Sequence, residues 1–184
     1  LYLSMCYFEM SKLEQFNARL RSIHEDYPPM AFKAMMNIAD SHDTNRLLFL
    51  LKKINNDDDA AALKRLQEYW LFNMTYAGAP TIYYADELAV EGAGVWANGK
   101  WEDDPYNRLP FPWGDTWGYY GYDLSALPFL RSLTSARQGY SALRDGDTQH
   151  GLVISDSEKV YAFSRTLEST QRAATIGAEP FRSQ

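Results

Sequence analysis

The chain has little of what most directly announces a function. One cysteine, Cys6, in 184 residues excludes an intramolecular disulfide and any cysteine-built metal centre, so the fold stands on packing. The three histidines, His24, His42 and His150, show no metal-ligand spacing, and neither metal nor cofactor is expected. Basic charge is not in excess: 18 Lys and Arg against 24 Asp and Glu give a formal charge of -6, which argues against nucleic acid or an anionic membrane surface as partner. Long apolar runs are missing too. The longest, LLFLLKKI, falls far below the roughly 20 residues of a membrane span, and the opening LYLSMCYFEM has neither the basic start nor the small-residue cleavage site of a signal peptide. No G-x-S-x-G elbow occurs, and Gly92, Gly94 and Gly99 do not lead a strand into a helix, so neither a serine nucleophile nor a phosphate cradle is expected.

What is present is apolar and aromatic, 46% and 15% of residues respectively, enough for a real core. Ser11 and Glu14 fit a capping box, followed by Leu13, Phe16, Leu20 and Ile23 on one helical face until YPP ends the helix. The nearly unbroken apolar run MAFKAMMNIA predicts a strand covered on both faces. A second helix is expected from the acidic cluster Asp57, Asp58 and Asp59, carrying Leu63, Leu66, Trp70 and Met74 on one stripe up to Gly78. PTIYY predicts a second strand. A long segment from Glu91 to Tyr122 is rich in glycine, proline and aspartate and studded with aromatics, among them Trp96, Trp101, Tyr106, Trp113, Trp117, Tyr119, Tyr120 and Tyr122. A third helix around Ser125 to Gln138 precedes HGLVIS, DSEK and VYAFSR, the pattern of a β-hairpin. Helix alternating with strand is the grammar of a parallel α/β protein, whose sites lie at the carboxyl edge of the sheet. Two strands do not make a stable sheet, so further strands are expected upstream. The leucine start and the polar closing stretch TLESTQRAATIGAEPFRSQ also read as a piece of a longer protein.

Both predicted strands run into ionisable residues. The first ends in Asp40, His42, Asp43 and Arg46, and the second in Asp86 and Glu87. For Asp40, Ser41 and Thr44 the simplest role is to tie the strand end to the next helix, with Asp43 or Thr44 accepting backbone hydrogen bonds. His42 beside Asp43 points instead to a cleft. Aromatics interleaved with Asp103, Asp104, Asn107 and Arg108 offer flat apolar faces beside directional hydrogen bonders, a combination that matches sugars, although many of the rings would simply pack against a wall.

NIADSHDTNR, GAPTIYYADEL and DDPYNRLPFPW resemble, in order and spacing, consecutive motifs of the α-amylase family of glycoside hydrolases, family 13. The neopullulanase, cyclomaltodextrinase and amylopullulanase branch is the most similar. The likeness runs from about Leu13 to Thr166 and includes LRSLTSARQGYSALRDGD and VYAFSRT. It implies an α/β fold: the C-terminal part of a (β/α)8 barrel, with strands seven and eight and their flanking helices in residues 1–140, leading into an all-β C-terminal domain begun in 141–184. The N-terminal half of the barrel would be the missing partner, since such a barrel takes about 250 residues. It further implies a retaining hydrolase of α-glucosidic bonds in starch-like glucans or maltooligosaccharides. Asp43 matches the family's third carboxylate, which holds the 2- and 3-hydroxyls of the sugar being cleaved and helps keep the general acid protonated. His42 matches the neighbouring sugar-binding histidine, and Arg108 and Asp104 match polar positions that contact sugar. The nucleophile and general acid follow earlier strands, so the chain alone is expected to be inactive. Calcium ligands also lie upstream in relatives. Ala85 departs from the family, where glycine is usual. The alternative implied by the same likeness is a non-catalytic relative that binds α-glucan or scaffolds a partner.

Overall fold

The computed structural model describes residues 12–113 and 123–167, together with the backbone of a strand at 171–177. Ser11, Cys6, Trp117, Tyr119, Tyr120 and Tyr122 lie outside the described residues. The chain divides into two compact units. The first comprises Leu1–Asn37, Leu71–Pro80 and Leu133–Gln184, and the second Ile38–Trp70 and Thr81–Ser132.

In the first unit, helix α1 (Leu13–Asp26) buries Leu13, Phe16 and Leu20, as its i, i+3, i+7 spacing dictates, while Ile23 is only half-buried. Its N-terminal cap position falls on Lys12, which supplies no side-chain bond; the Asp156 carboxylate instead accepts from the Leu13 amide at 2.7 Å. The predicted strand at MAFKAMMNIA is corrected: Pro29–Lys33 forms a short helix, α2, and only Met36–Asn37 is a strand, β1. Pro29 presets the helical φ at the first position, and the run exposes Met30 and Met36 while burying Phe32, a pattern that a strand with both faces covered does not produce. β1 pairs in parallel with β2 (Ala79–Pro80), Met36 opposite Ala79. The second predicted strand is corrected as well: it overlaps PTIYY only at Pro80, and residues 81–84 are not strand.

Helix α4 (Asp59–Thr75) ends in this unit, and two arginines take up its terminal carbonyls. Arg137 donates to Met74, Tyr76 and Gly78, and the fully buried Arg165 donates to Thr75 and Gly146. Orphan acceptors at a helix C-terminus are thereby satisfied by cations that also suit the helix dipole. Arg137 belongs to α5 (Leu127–Gly139), which α6 (Ser141–Asp145) follows. The antiparallel sheet β5 (Asp147–Ser155), β6 (Val160–Leu167) and β7 (Gln171–Gly177) completes the unit. Its core is aromatic: Phe16 meets Tyr161 edge-on at 5.2 Å, Phe72 stacks on Tyr76 at 4.8 Å, and Phe163 meets both Phe72 and Tyr76. Edge-to-face pairs of this kind add about 0.5–1.5 kcal/mol each beyond burial. Burial lowers the pKa of His150, bonded to the Tyr76 hydroxyl, to about 4.

In the second unit the apolar run at 47–54 is helix α3 (Leu47–Ile54), burying Leu47, Leu48 and Leu51. Asn56 and Asp57 take left-handed φ values of 55° and 61°, and the Asp58 carboxylate caps the start of α4 by accepting from the Ala61 amide at 3.0 Å. After Tyr84, Ala85 sits at φ 70°, a conformation in which glycine avoids the steric cost. Ala85, Leu88 and Val90 form a small core with Phe111 and Leu127. A hairpin follows, β3 (Val95–Ala97) and β4 (Lys100–Glu102). Asn98 and Gly99 make its two-residue turn, both at positive φ (51° and 74°), which the right-handed twist of the flanking strands favours.

Candidate functional site

The site is built from two loops of the second unit, 38–46 leading into α3 and 103–109 following β4. In the first loop, Asp40 accepts from the Leu47 amide at 2.7 Å and so closes the start of α3. Ser41 and Thr44 brace each other, the Thr44 hydroxyl accepting from the Ser41 amide at 2.9 Å and the Ser41 hydroxyl from the Asp43 amide at 3.2 Å. The helix-tying role thus falls to Asp40, while Thr44 accepts a backbone bond within the loop. The Asp43 carboxylate takes no backbone bond there, and both its oxygens turn to other partners.

Those partners are the residues singled out in the sequence. His42 Nε2 lies 3.2 Å from Asp43 Oδ2, and Arg108 Nη2 lies 3.0 Å from Asp43 Oδ1. Arg108 Nε donates to the His42 carbonyl at 2.9 Å, and its Nη1 stands 3.5 Å from Asp104 Oδ2. All four predicted residues therefore meet around one guanidinium. His42 and Asp43 remain about two-thirds exposed (63% and 66%), so the pair faces solvent while being held at three points.

Several residues to which the sequence assigned no part in the site hold this arrangement. Asn107 is fully buried, and its amide group reaches the carbonyls of His42 and Thr44 and the Asp103 carboxylate. It clamps the two loops together. Asp103, rather than Asp104, is the sheltered carboxylate; it accepts from Asn107 at 3.1 Å, Arg108 at 3.3 Å and the Trp101 indole at 2.6 Å. Gly92 accepts from the Arg46 amide at 2.9 Å, and a Cβ there would lie 2.7 Å from the Tyr106 carbonyl, so only glycine allows that approach. Arg46 is itself fully buried. It donates to the Tyr84 carbonyl at 2.7 Å and to Asp86 at 3.1 Å, and its guanidinium lies 4.5 and 4.7 Å from the Tyr83 and Tyr84 ring centres. Tyr84 is thus part of the wall around Arg46, its hydroxyl bonded to the Leu109 carbonyl at 2.6 Å. Burial pushes the Asp86 carboxyl well above its ordinary range, with the nearby Asp40 charge adding to it. Asp40 is raised too, again by burial first. Among the described residues, no group of three or more His, Cys, Asp or Glu side chains is placed to hold a metal ion.

Chemically, the exposed part of the site presents a carboxylate and an imidazole side by side, with a guanidinium fixing the carboxylate's far oxygen. This arrangement suits a ligand rich in hydroxyls, which can donate to the carboxylate and accept from the cation.

No protein-family model matches the chain. Among curated proteins, an amylopullulanase of Thermoanaerobacter thermohydrosulfuricus is 35% identical over 166 residues, 86% of this chain. A cyclomaltodextrinase of a Bacillus species is 32% identical over 75% of it. The chain belongs to the α-amylase family of glycoside hydrolases. Among solved structures, the debranching enzyme of Nostoc punctiforme matches this α-amylase-family chain over 85% of its length with a TM-score of 0.64 and 28% identity. The chain spans 10% of the amylopullulanase, 21% of the cyclomaltodextrinase and 27% of the debranching-enzyme chain.

Proposed function

We propose that the chain is the C-terminal part of the catalytic (β/α)8 barrel of a retaining α-glucan hydrolase, with β1 and β2 as its strands seven and eight and residues from about 141 onward opening an all-β domain. Its contribution to catalysis is the pair His42 and Asp43. Asp43 accepts hydrogen bonds from the 2- and 3-hydroxyls of the sugar undergoing cleavage, bonds that tighten as the ring flattens towards an oxocarbenium-like transition state. His42 bonds a hydroxyl of the same sugar, and Arg108 and Asp104 hold Asp43 and the neighbouring sugar in register. The nucleophile and general acid belong, on this reading, to earlier strands of the barrel, and starch-like glucans or maltooligosaccharides are the substrates.

The observation that carries this reading is the convergence of Asp43, Asp104 and the His42 carbonyl on one guanidinium, that of Arg108, at 2.9–3.5 Å. An aspartate held by Arg108 at one oxygen and by the exposed His42 at the other, and itself two-thirds exposed, is prepared to grip a diol. The test is Asp43→Asn in the active enzyme assayed on maltodextrin. Loss of a hydrogen bond made in the transition state lowers kcat by about 10²- to 10³-fold, with unfolding midpoint unchanged. An Asp43→Asn enzyme with undiminished kcat would sink the assignment. The 184-residue chain by itself is expected to show no turnover.

A further inference from the structure

The hairpin that precedes the site carries two tryptophans directly opposite each other, Trp96 across from Trp101. Opposed residues of an antiparallel pair project from the same face of the ribbon, with Cβ atoms about 4.5–5.5 Å apart. Trp96 is 73% exposed and Trp101 37% exposed. Contiguous exposed apolar surface of this kind is a mark of interaction sites. The ring of Trp101 is held along its indole N–H edge. It lies so close over Gly94 that a Cβ there has no room, and its indole N–H donates to Asp103 at 2.6 Å. Asp103 in turn accepts from Arg108 at 3.3 Å, and Arg108 holds Asp43 at 3.0 Å. The Asn98–Gly99 turn sets the hairpin's register, so the indole pair is a preorganised surface joined to the candidate site through three side-chain contacts.

We infer that Trp96 and Trp101 form a stacking platform for the glucose rings of an α-glucan chain running outward from the Asp43 site. Flat, weakly hydrated indole faces match the C–H faces of a glucose ring. This inference rests on the α-glucan reading above and deepens it: it adds an extended-chain site, which longer oligosaccharides occupy and short ones do not reach. Trp101 is the anchored half of the platform and Trp96 the adjustable half.

The experiment is isothermal titration calorimetry of the chain with maltoheptaose, maltotriose and cellohexaose, for the wild type, Trp96→Ala and Trp96→Phe. Maltoheptaose is expected to bind more tightly than maltotriose. Trp96→Ala is expected to weaken maltoheptaose by about tenfold, while Trp96→Phe stays within about threefold of wild type. Because Trp96 is mostly exposed, its truncation leaves the fold intact, and the phenylalanine variant separates ring stacking from any change in folding. If Trp96→Ala binds maltoheptaose as wild type does, the platform is overturned and the α-glucan reading stands. If cellohexaose binds as well as maltoheptaose, the α-glucan assignment of the platform is overturned. If the wild-type chain binds no maltoheptaose, the platform is overturned, and the α-glucan reading is decided by the Asp43→Asn assay in the active enzyme. Intact kcat in Asp43→Asn alongside a tenfold loss in Trp96→Ala overturns the hydrolytic role of Asp43 alone and leaves the platform in place.

Discussion

Two ionic clusters are interleaved in one ten-residue stretch, and they have opposite fates. Asp40 and Arg46, joined by Asp86, are buried, whereas His42 and Asp43, joined by Arg108, lie open. Each cluster is centred on an arginine paired with an aspartate. In the buried cluster two of the three groups are tied to backbone, Asp40 to the Leu47 amide and Arg46 to the Tyr84 carbonyl, and Arg46 also holds Asp86. In the open cluster the charges are tied mainly to one another. A buried ion pair is costly to assemble and more costly to break, because removing one partner strands the other in a poor solvent. An exposed pair contributes little to stability and so is free to exchange its partner for a ligand. Carboxylates three residues apart thus divide the work, Asp40 holding the helix and Asp43 facing outward.

The sharpest way to break that contrast is to remove the cation from each cluster. Arg46→Ala should destabilise the protein by about 3–5 kcal/mol, since Asp86 and Asp40 lose their counter-charge, while Arg108→Ala should cost less than about 1 kcal/mol; urea unfolding compares them directly. Next in size, Asp40→Ala removes the acceptor for the Leu47 amide and should cost about 1 kcal/mol, whereas Asp43→Ala should leave the unfolding midpoint nearly unmoved.

Acidity sharpens the comparison further. Asp86 holds its proton to higher pH in the folded protein than in the unfolded chain, where its ordinary value is 3.8. The stability contributed by that group is therefore full below pH 3.8 and falls as pH rises towards its folded value. Asp86→Asn should flatten the pH dependence of stability across the mildly acidic range, measured by thermal melts at stepped pH. The exposed pair of Lys33 with Asp147, 2.8 Å apart, has the opposite sign, because the lysine lowers the Asp147 pKa. Its contribution is present above the ordinary value of 3.8 and is lost as pH falls. Lys33→Ala should cost at most about 1 kcal/mol, and added salt should erase most of it.

Legibility in the sequence followed how local each signal was. The hairpin of β5 and β6 was readable because alternating residues flank a short polar turn, and α1 and α4 because their apolar stripes recur at helical spacing. MAFKAMMNIA misled, since a short apolar run has the same appearance in a buried strand and in a helix, and Pro29 decided between them. The β3–β4 hairpin carried a strong local sign, Asn98–Gly99 between two tryptophans, that lay hidden in a segment read as loop. In the site, His42, Asp43, Asp104 and Arg108 were named from their motifs, and the structure brings them together. Asn107 and Asp103 were visible only as polar residues among aromatics. Their clamping roles depend on carbonyls and an indole that no spacing rule brings near.

By itself the sequence determined the family, the alternation of helices with apolar segments, and the residue types gathered at the two segment ends, because each of these is written in neighbouring residues. Only the tertiary structure decided which aspartate would be buried beside Arg46 and which would meet Arg108 in the open. Solvation makes that decision. A carboxylate's pKa and its cost to the fold, like its freedom to take a ligand, depend on how much water and which charges surround it, and those surroundings come from segments dozens of residues away.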